Sequence, residues 1–150
     1  MKKIHLLVTF TLIEICRAGS FTTTQTNEIK IEEAKDPVPC TCGVFLSGQF
    51  KKGSKDQPKG VPVLTQEMDT PFFNNAVGNR QCVNKCLELI IRHLPRSKDI
   101  LCSLVDRENV HREKAYLFIK NHSDKWHGTN LSAGREFCCR NNEPYRCYGS

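Results

Sequence analysis

Apart from its first residues, the 150-residue sequence has no long hydrophobic run and only a weak excess of positive charge. No later apolar run approaches the roughly 20 residues that span a bilayer. The net charge of +6 comes from 22 basic and 16 acidic residues, and these form no clustered basic stripe of the kind that binds nucleic acid. We therefore expect neither a membrane span nor a nucleic-acid partner.

The sequence also lacks the local motifs that usually mark an enzyme. It contains no G-x-S-x-G elbow, no H-E-x-x-H zinc helix and no phosphate-binding loop. A nucleophilic thiol would require an unpaired cysteine, and the cysteine count below argues against one. We expect a protein that is not an enzyme and that binds no cofactor.

Residues Met1–Ser20 have the pattern of a secretory signal peptide. Lys2 and Lys3 form a charged start, an apolar stretch follows, and Ala18-Gly19-Ser20 resembles a cleavage site. Removal of this segment would lower the net charge to +4, with 19 basic and 15 acidic residues left. The pattern predicts a secreted, extracellular protein.

Two further regions are predicted after this segment. Phe21–Pro39 has few large apolar residues and ends in a proline-rich stretch, which is typical of a flexible arm. Residues 40–150 form a single domain of modest size, in which disulfides would compensate for a small core.

Cysteine is the residue type that most restricts the fold. One of the nine cysteines, Cys16, lies in the predicted signal peptide, and an even number in a secreted chain indicates a disulfide framework. The other eight are Cys40, Cys42, Cys82, Cys86, Cys102, Cys138, Cys139 and Cys147. Eight cysteines allow 105 pairings, and the sequence does not choose among them. Adjacent Cys138 and Cys139 point to opposite faces of a strand, so we expect them to have different partners.

The segment Asn79–Pro95 predicts the main helix, around which the rest of the chain is organised. Asn79 is a suitable N-cap, and Pro95 stops the helix. The apolar positions fall on one arc of the helix at 100° per residue. They are Val83, Leu87, Ile90, Ile91 and Leu94.

Alternation of apolar side chains predicts the sheet. Lys114–Asn121 is apolar on most of both faces and should be a central strand. Gly43–Leu46 and Glu136–Arg140 are further strands, and Val61–Leu64 is an edge strand. Ser97–Val105 fits either a short second helix or a strand. The predicted fold class is α+β: a small disulfide-rich domain with one main helix packed on a small antiparallel sheet.

Spacing suggests how the helix could be attached to the sheet. Cys40 and Cys42 point to one face of a strand and lie about 7 Å apart, close to the spacing of Cys82 and Cys86 on the helix. A double staple between strand and helix is our hypothesis. Cys82, Cys86 and His93 are also residue types that bind zinc, but an oxidising compartment favours disulfides, and we predict no metal site.

Surface features provide the candidate contacts. The loop Gln49–Gly60 is rich in lysine and is either an ordinary solvated loop or a contact for acidic glycans or an acidic matrix protein. Its lysines are Lys51, Lys52, Lys55 and Lys59. Asn121-His122-Ser123 and Asn130-Leu131-Ser132 are acceptor motifs for N-glycosylation, so Asn121 and Asn130 are candidate surface sites.

Four segments of the sequence together resemble an insect protein family, the follicle cell protein 3C family. They are CTCGVFLSGQFKKGS (Cys40–Ser54), GNRQCVNKCLELIIRHLP (Gly78–Pro95), REKAYLFIKN (Arg112–Asn121) and NLSAGREFCC (Asn130–Cys139). The resemblance covers nearly all of Cys40–Cys147. It implies a small secreted insect protein associated with follicle cells and hence with eggshell formation. It supplies no catalytic residues.

The expected function is non-enzymatic: a matrix or eggshell-associated component that binds an extracellular matrix or another secreted protein. Two alternatives remain open at this stage. The spacings Cys82-x3-Cys86 and Cys138-x8-Cys147 also occur in insect odorant-binding proteins, which suggests a carrier of small apolar ligands, but those proteins are almost wholly helical and Lys114–Asn121 is a poor helix. The loop Gln49–Gly60 could instead serve a secreted protease inhibitor, which requires an exposed loop framed by disulfides.

Overall fold

A computed structural model of the protein describes residues 36–148. The predicted signal peptide and most of the predicted arm lie outside these residues. In chain order the elements are β1 (Val38–Leu46), a 3₁₀ turn (Ser47–Gln49), β2 (Leu64–Glu67), α1 (Ala76–Ile91), a second 3₁₀ turn (Leu94–Arg96), α2 (Ser97–Leu104), β3 (Asn109–Arg140) and β4 (Glu143–Pro144). Because β1 begins at Val38, the last two residues assigned to the arm, Val38 and Pro39, belong to the sheet instead.

The strands form one antiparallel sheet in the order β2-β1-β3-β4. Cys42 lies opposite Ile119 and Phe45 lies opposite Tyr116, so the predicted central strand Lys114–Asn121 is confirmed as part of β3. The predicted edge strand Val61–Leu64 corresponds to β2, which lies at one edge of the sheet and starts at Leu64 rather than ending there. Pro62, which has no N–H to donate, therefore lies before the paired residues.

The sheet is curled, because β3 folds back on itself. A straight strand of its 32 residues would be about 105 Å long, at roughly 3.3 Å per residue. Instead, the Thr129 hydroxyl donates a hydrogen bond to the Leu117 carbonyl at 2.8 Å, and Arg112 Nε donates to Glu136 Oε2 at 2.8 Å. Three of its non-glycine residues have left-handed backbone angles, which allow sharp changes of direction. They are Arg112, His122 and Asn130.

The N-cap of helix α1 lies four residues earlier than predicted. The Asn75 side chain accepts a hydrogen bond from the Gly78 N–H at 2.9 Å and caps the helix, whereas Asn79, predicted as the cap, lies inside it. Regular helix ends at Ile91, and Pro95 lies in the second 3₁₀ turn. The ambiguous segment after it forms the eight-residue α2. The helical part thus consists of two short helices, and the expectation of one main helix is not confirmed.

Two disulfides attach α1 to β1. Cys40 bonds to Cys82 with a Cα–Cα distance of 5.8 Å, and Cys42 bonds to Cys86 at 5.5 Å. We call these bonds the helix staples; they are the double staple offered as a hypothesis from spacing. The sheet residues beneath them, Leu117 and Ile119 among them, form one buried apolar cluster with these four cysteines.

The other two disulfides secure the end of the chain. Cys139 bonds to Cys102 of α2, and Cys138 bonds to Cys147. We call the second of these the tail disulfide. Neighbouring cysteines on β3 thus have different partners, because successive strand side chains point to opposite faces. Within residues 36–148, neither helix is long and apolar enough to cross a membrane.

Candidate functional site

The lysine-rich loop is held closed at its base by a glutamine. Gln49 is buried, with 8% of its surface exposed. Its Oε1 accepts from the Leu46 N–H at 2.8 Å, and its Nε2 donates to the carbonyls of Lys59 and Val61 at 3.2 and 2.7 Å. The Lys59 N–H in turn donates to the Gln49 carbonyl at 2.7 Å. One side chain therefore joins the two ends of the loop.

A second glutamine ties the middle of the loop to β3. Gln57 Nε2 donates to the Trp126 carbonyl at 3.1 Å, and the Trp126 N–H donates to Gln57 Oε1 at 2.7 Å. A tight turn lies between these attachments, with Gly53 at a φ of 80° and the Ser54 N–H donating to the Lys51 carbonyl at 3.0 Å. The loop is therefore attached to the sheet at two places.

Aromatic rings cover the face of the sheet that points away from the helices. Phe45 packs edge-on against Phe118 and Trp126, with ring centroids 5.1 and 5.3 Å apart. Phe50, at the start of the loop, packs edge-on against Phe118 and Tyr116 at 4.9 and 5.1 Å. These distances suit favourable edge-to-face contacts. The rings form a continuous surface beneath the loop.

Glycine makes room for this aromatic surface. A Cβ atom at Gly43 would lie 2.6 Å from two carbons of the Trp126 ring, closer than packed atoms approach each other. At Gly128 a Cβ would lie 3.2 Å from the Phe118 ring. Trp126 therefore lies directly over the β1 backbone, and Lys120 Nζ lies 4.6 Å from its ring centroid.

Loop and rings enclose a cleft of about 480 Å³, which we call the basic cleft. It is lined by four lysines against a single aspartate: Lys51, Lys52, Lys55 and Lys125 against Asp56. Within residues 36–148 none of these four ammonium groups is paired with a carboxylate, and the Asp56 carboxylate instead accepts from the Ser54 hydroxyl at 2.7 Å. The cleft thus presents unneutralised positive charge above an apolar floor, a combination that suits an anionic ligand with an apolar or ring face.

Comparison with known proteins identifies the family. The family model described as "Follicle cell protein 3C C-terminal domain" matches residues 29–148, which is most of the chain. The chain belongs to the follicle cell protein 3C family. A relative from Drosophila melanogaster, "Follicle cell protein 3C-1", is 53% identical over 111 residues. That match covers 74% of this chain but only 38% of the relative, so the chain spans well under half of the relative's length. No solved structure matches the chain.

In this member of the follicle cell protein 3C family, the predicted lysine contacts divide into two groups. Lys51, Lys52 and Lys55 line the basic cleft, whereas Lys59 does not. Sequence reasoning missed Lys125 and the floor residue Trp126, which follow the loop by about 70 residues. In the sequence, Tyr116 alternates with strand residues that point toward the core. This alternation indicates an aromatic outer face of the sheet, but it does not indicate which segment of the chain covers that face.

The two glycosylation motifs have different environments. Asn130 is exposed at the rim of the basic cleft, in keeping with a surface site. The surface position predicted for Asn121 is wrong, because its side chain is 5% exposed. Its Nδ2 donates to Asn79 Oδ1 and to the Phe73 carbonyl, and its Oδ1 accepts from the Phe72 N–H. These bonds leave no room for a glycan on Asn121 in the folded domain.

One cluster of sulfur atoms has the spacing of a metal site. The sulfurs of Cys40, Cys82 and Cys86 lie within 4.8 Å of one another. All three belong to the helix staples, and a disulfide sulfur is not the thiolate that binds zinc. His93, the other zinc-type residue of the sequence analysis, is exposed beyond the end of α1. The proximity of the sulfurs is therefore explained by the two parallel staples.

The structure also bears on the two alternative functions. The comparison with odorant-binding proteins rested on cysteine spacings. Those proteins are almost wholly helical, whereas this domain contains a four-stranded sheet, so the fold gives the comparison no support. The inhibitor hypothesis required disulfides that frame the loop Gln49–Gly60. Within the described part of the chain, all four disulfides lie outside this loop, and Gln49 closes it by hydrogen bonds instead.

Proposed function

We propose that the protein is a secreted, non-enzymatic component of an extracellular matrix, in the eggshell or a comparable layer, and that its basic cleft binds anionic groups of a matrix partner. The observation that carries this proposal is the set of four unpaired lysines fixed above an aromatic floor. The name of the family, which refers to follicle cells, supports the eggshell as the location.

The disulfide framework supports an extracellular location. All eight cysteines in residues 36–148 are bonded, and disulfides persist in oxidising compartments. Two histidines have structural contacts: His111 Nδ1 lies 3.1 Å from the Tyr145 hydroxyl, and the His122 ring contacts the Phe72 carbonyl. These uses of cysteine and histidine fit a binding module better than a nucleophilic enzyme.

An anionic sugar polymer is the partner class that best fits the cleft. Sulfate or carboxylate groups would pair with the ammonium groups, and the flat faces of sugar rings would contact the aromatic floor. Such pairing is electrostatic and should weaken as salt rises, because the Debye length falls from about 10 Å at 0.1 M to about 3 Å at 1 M.

The test uses heparin as a sulfated probe and the sole tryptophan of the sequence as the reporter, since Trp126 lies in the cleft. Binding of a heparin oligosaccharide should change the fluorescence of Trp126 in a saturable manner, and added salt should reverse the change. Protein bound to immobilised heparin should elute at a defined salt concentration.

A matched pair of triple variants separates the contribution of the cleft to heparin binding from the contribution of net charge. The cleft variant changes Lys51, Lys52 and Lys55 to Gln. The control variant changes Lys59, Lys98 and Lys114 to Gln, which are all exposed and lie outside the cleft. Both lose three charges, but only the cleft variant should elute at markedly lower salt and lose the fluorescence change. Equal losses in both variants would refute a specific role of the cleft.

A further inference from the structure

A second candidate site lies on the side of the sheet that faces the helices. Two adjoining apolar cavities, of about 510 and 70 Å³, lie between the sheet, the end of α1 and α2. The residues that line both are Val44, Ile90, Leu94, Ala115 and Ala133. We call the two cavities together the apolar slot. Its larger part falls within the roughly 300–1,000 Å³ typical of small-molecule sites.

The slot exists because α1 is held to the sheet only near its beginning and middle. The buried residues of α1 are Gly78, Cys82 and Cys86, and no disulfide holds the helix beyond the second staple at Cys86. In the last turn Ile90 is only half buried and Ile91 is 56% exposed. Apolar side chains at this end of the helix therefore lack a complete set of packing partners.

Part of the sheet beneath this end of the helix carries only small side chains and does not fill the space there. Ala115, Ala133 and Gly134 line the larger cavity, and none has a side chain longer than a methyl group. At the outer rim Leu131 is 40% exposed. The slot thus lies between a helix end and a patch of alanine and glycine, and its walls are mostly aliphatic, with the Tyr116 ring at the larger cavity and the Phe137 ring at the smaller one.

Charge at the mouth of the slot indicates which end of a ligand lies there. Arg135 lines the larger cavity and is exposed, and within residues 36–148 its guanidinium has no carboxylate partner. In the same part of the chain no Asp or Glu lines either cavity. The mouth therefore favours an anionic group, and guanidinium is well suited to bind a carboxylate by two parallel hydrogen bonds.

We propose that the apolar slot binds a long-chain fatty acid, with its carboxylate on Arg135 and its hydrocarbon tail along the slot. A single linear tail suits this site, because a wide cavity of about 510 Å³ adjoins a second one of only about 70 Å³. The slot shares the lining residues Tyr116 and Leu117 with the basic cleft, but none of the lysines of the cleft lines it, and this proposal does not depend on the function proposed for the cleft.

The test measures displacement of the fluorescent probe N-phenyl-1-naphthylamine from the full protein. Hexadecanoic acid and hexadecan-1-ol, used below their aggregation limits, should both displace the probe, the acid more tightly. In Arg135→Gln we expect a loss of about tenfold in affinity for the acid, as for removal of a charged hydrogen bond, and little change for the alcohol. Arg80→Gln, the same change near the other end of α1, should bind both as the native protein does.

A filling substitution tests the slot itself. Ala133→Leu should abolish binding of both ligands while the thermal melt shows a folded protein. If this variant does not fold, the exposed double variant Ile91→Gln with Leu131→Gln should weaken both ligands without unfolding. The cleft variant of Lys51, Lys52 and Lys55 should bind the acid normally, which separates this proposal from the preceding one.

Three results would overturn the fatty-acid site. The first is no saturable displacement by either ligand. The second is unchanged affinity for both ligands in folded Ala133→Leu. The third is a concentration-dependent dimer in sedimentation velocity that the Ile91 and Leu131 substitutions dissociate, with no fatty-acid binding; the apolar slot would then be covered by a second copy of the chain.

Discussion

Gly78 provides a sharp test of the packing. For its replacement by alanine, helix propensity and tertiary packing predict changes of opposite sign in the free energy of unfolding. It lies in the first turn of α1 and is buried. Replacing a helical glycine by alanine ordinarily stabilises a protein by about 1 kcal/mol. At Gly78, however, a Cβ atom would lie 1.9 Å from the carbonyl oxygen of Phe73 and 2.6 Å from the backbone nitrogen of Phe73.

The magnitude follows from what the clash would displace. Because the contacts are with backbone atoms, no side-chain rotation relieves them, and the loop before α1 must move. That loop carries the Asn75 cap, the Phe72 N–H that donates to Asn121 Oδ1, and the Phe73 carbonyl that accepts from Asn121 Nδ2. Overpacking costs about 1–3 kcal/mol and loss of a cap about 1 kcal/mol. The gain in helix propensity, about 1 kcal/mol, offsets part of these costs. Gly78→Ala should therefore destabilise the domain by about 2 kcal/mol.

Equilibrium unfolding in urea, with disulfides intact, measures this change. With a slope of about 1–3 kcal/mol per molar urea, the midpoint should fall by about 1 M. Gly134→Ala is the matched control, since nothing lies within 4 Å of its Cβ position, and its free energy of unfolding should change by less than about 0.5 kcal/mol. A Gly78→Ala midpoint equal to or above that of the native protein would refute the close contact.

Three other predictions concern the disulfides and the glycosylation motifs. Replacing all four cysteines of the helix staples by Ala should cost at least about 4 kcal/mol, against about 2.5 kcal/mol for the tail disulfide, because the Cys40–Cys82 staple alone closes a sequence separation of 42 residues and the tail disulfide one of 9; equal losses in urea melts would contradict this entropic reasoning. Thiol titration of the unfolded, unreduced protein should detect almost no thiol if Met1–Ser20 has been removed. If that segment is retained, the titration should detect one thiol per chain, from Cys16. Two or more thiols per chain would contradict the complete pairing of the other eight cysteines. Mass spectrometry after glycosidase treatment should find that Asn130 carried a glycan and that Asn121 did not. Asn121→Ala should lower the melting temperature, whereas Asn130→Gln should not. A glycan at Asn121 of the folded protein would contradict the burial of this side chain.

Features that depend on near neighbours in the chain were predictable from the sequence. The apolar arc of α1 and the alternation in Lys114–Asn121 reflect periodicities of 3.6 and 2 residues, which the backbone imposes wherever such elements form. Spacing also indicated the helix staples, because two residues along a strand and four along a helix span similar distances. Even here the predicted helix start was wrong. Asparagine is a suitable cap at either Asn75 or Asn79, and in the structure it is the Asn75 side chain that accepts from the Gly78 N–H.

Features that depend on distant residues were decided by the tertiary structure. Gln57 binds the backbone of Trp126, 69 residues away, and this contact places a remote lysine and tryptophan beside the loop. Asn121 lies in a sequence motif typical of the surface, yet its amide is buried by hydrogen bonds to residues 42–49 positions earlier. A motif of three residues carries no information about which segments will pack over it, since that depends on how the whole sheet curls.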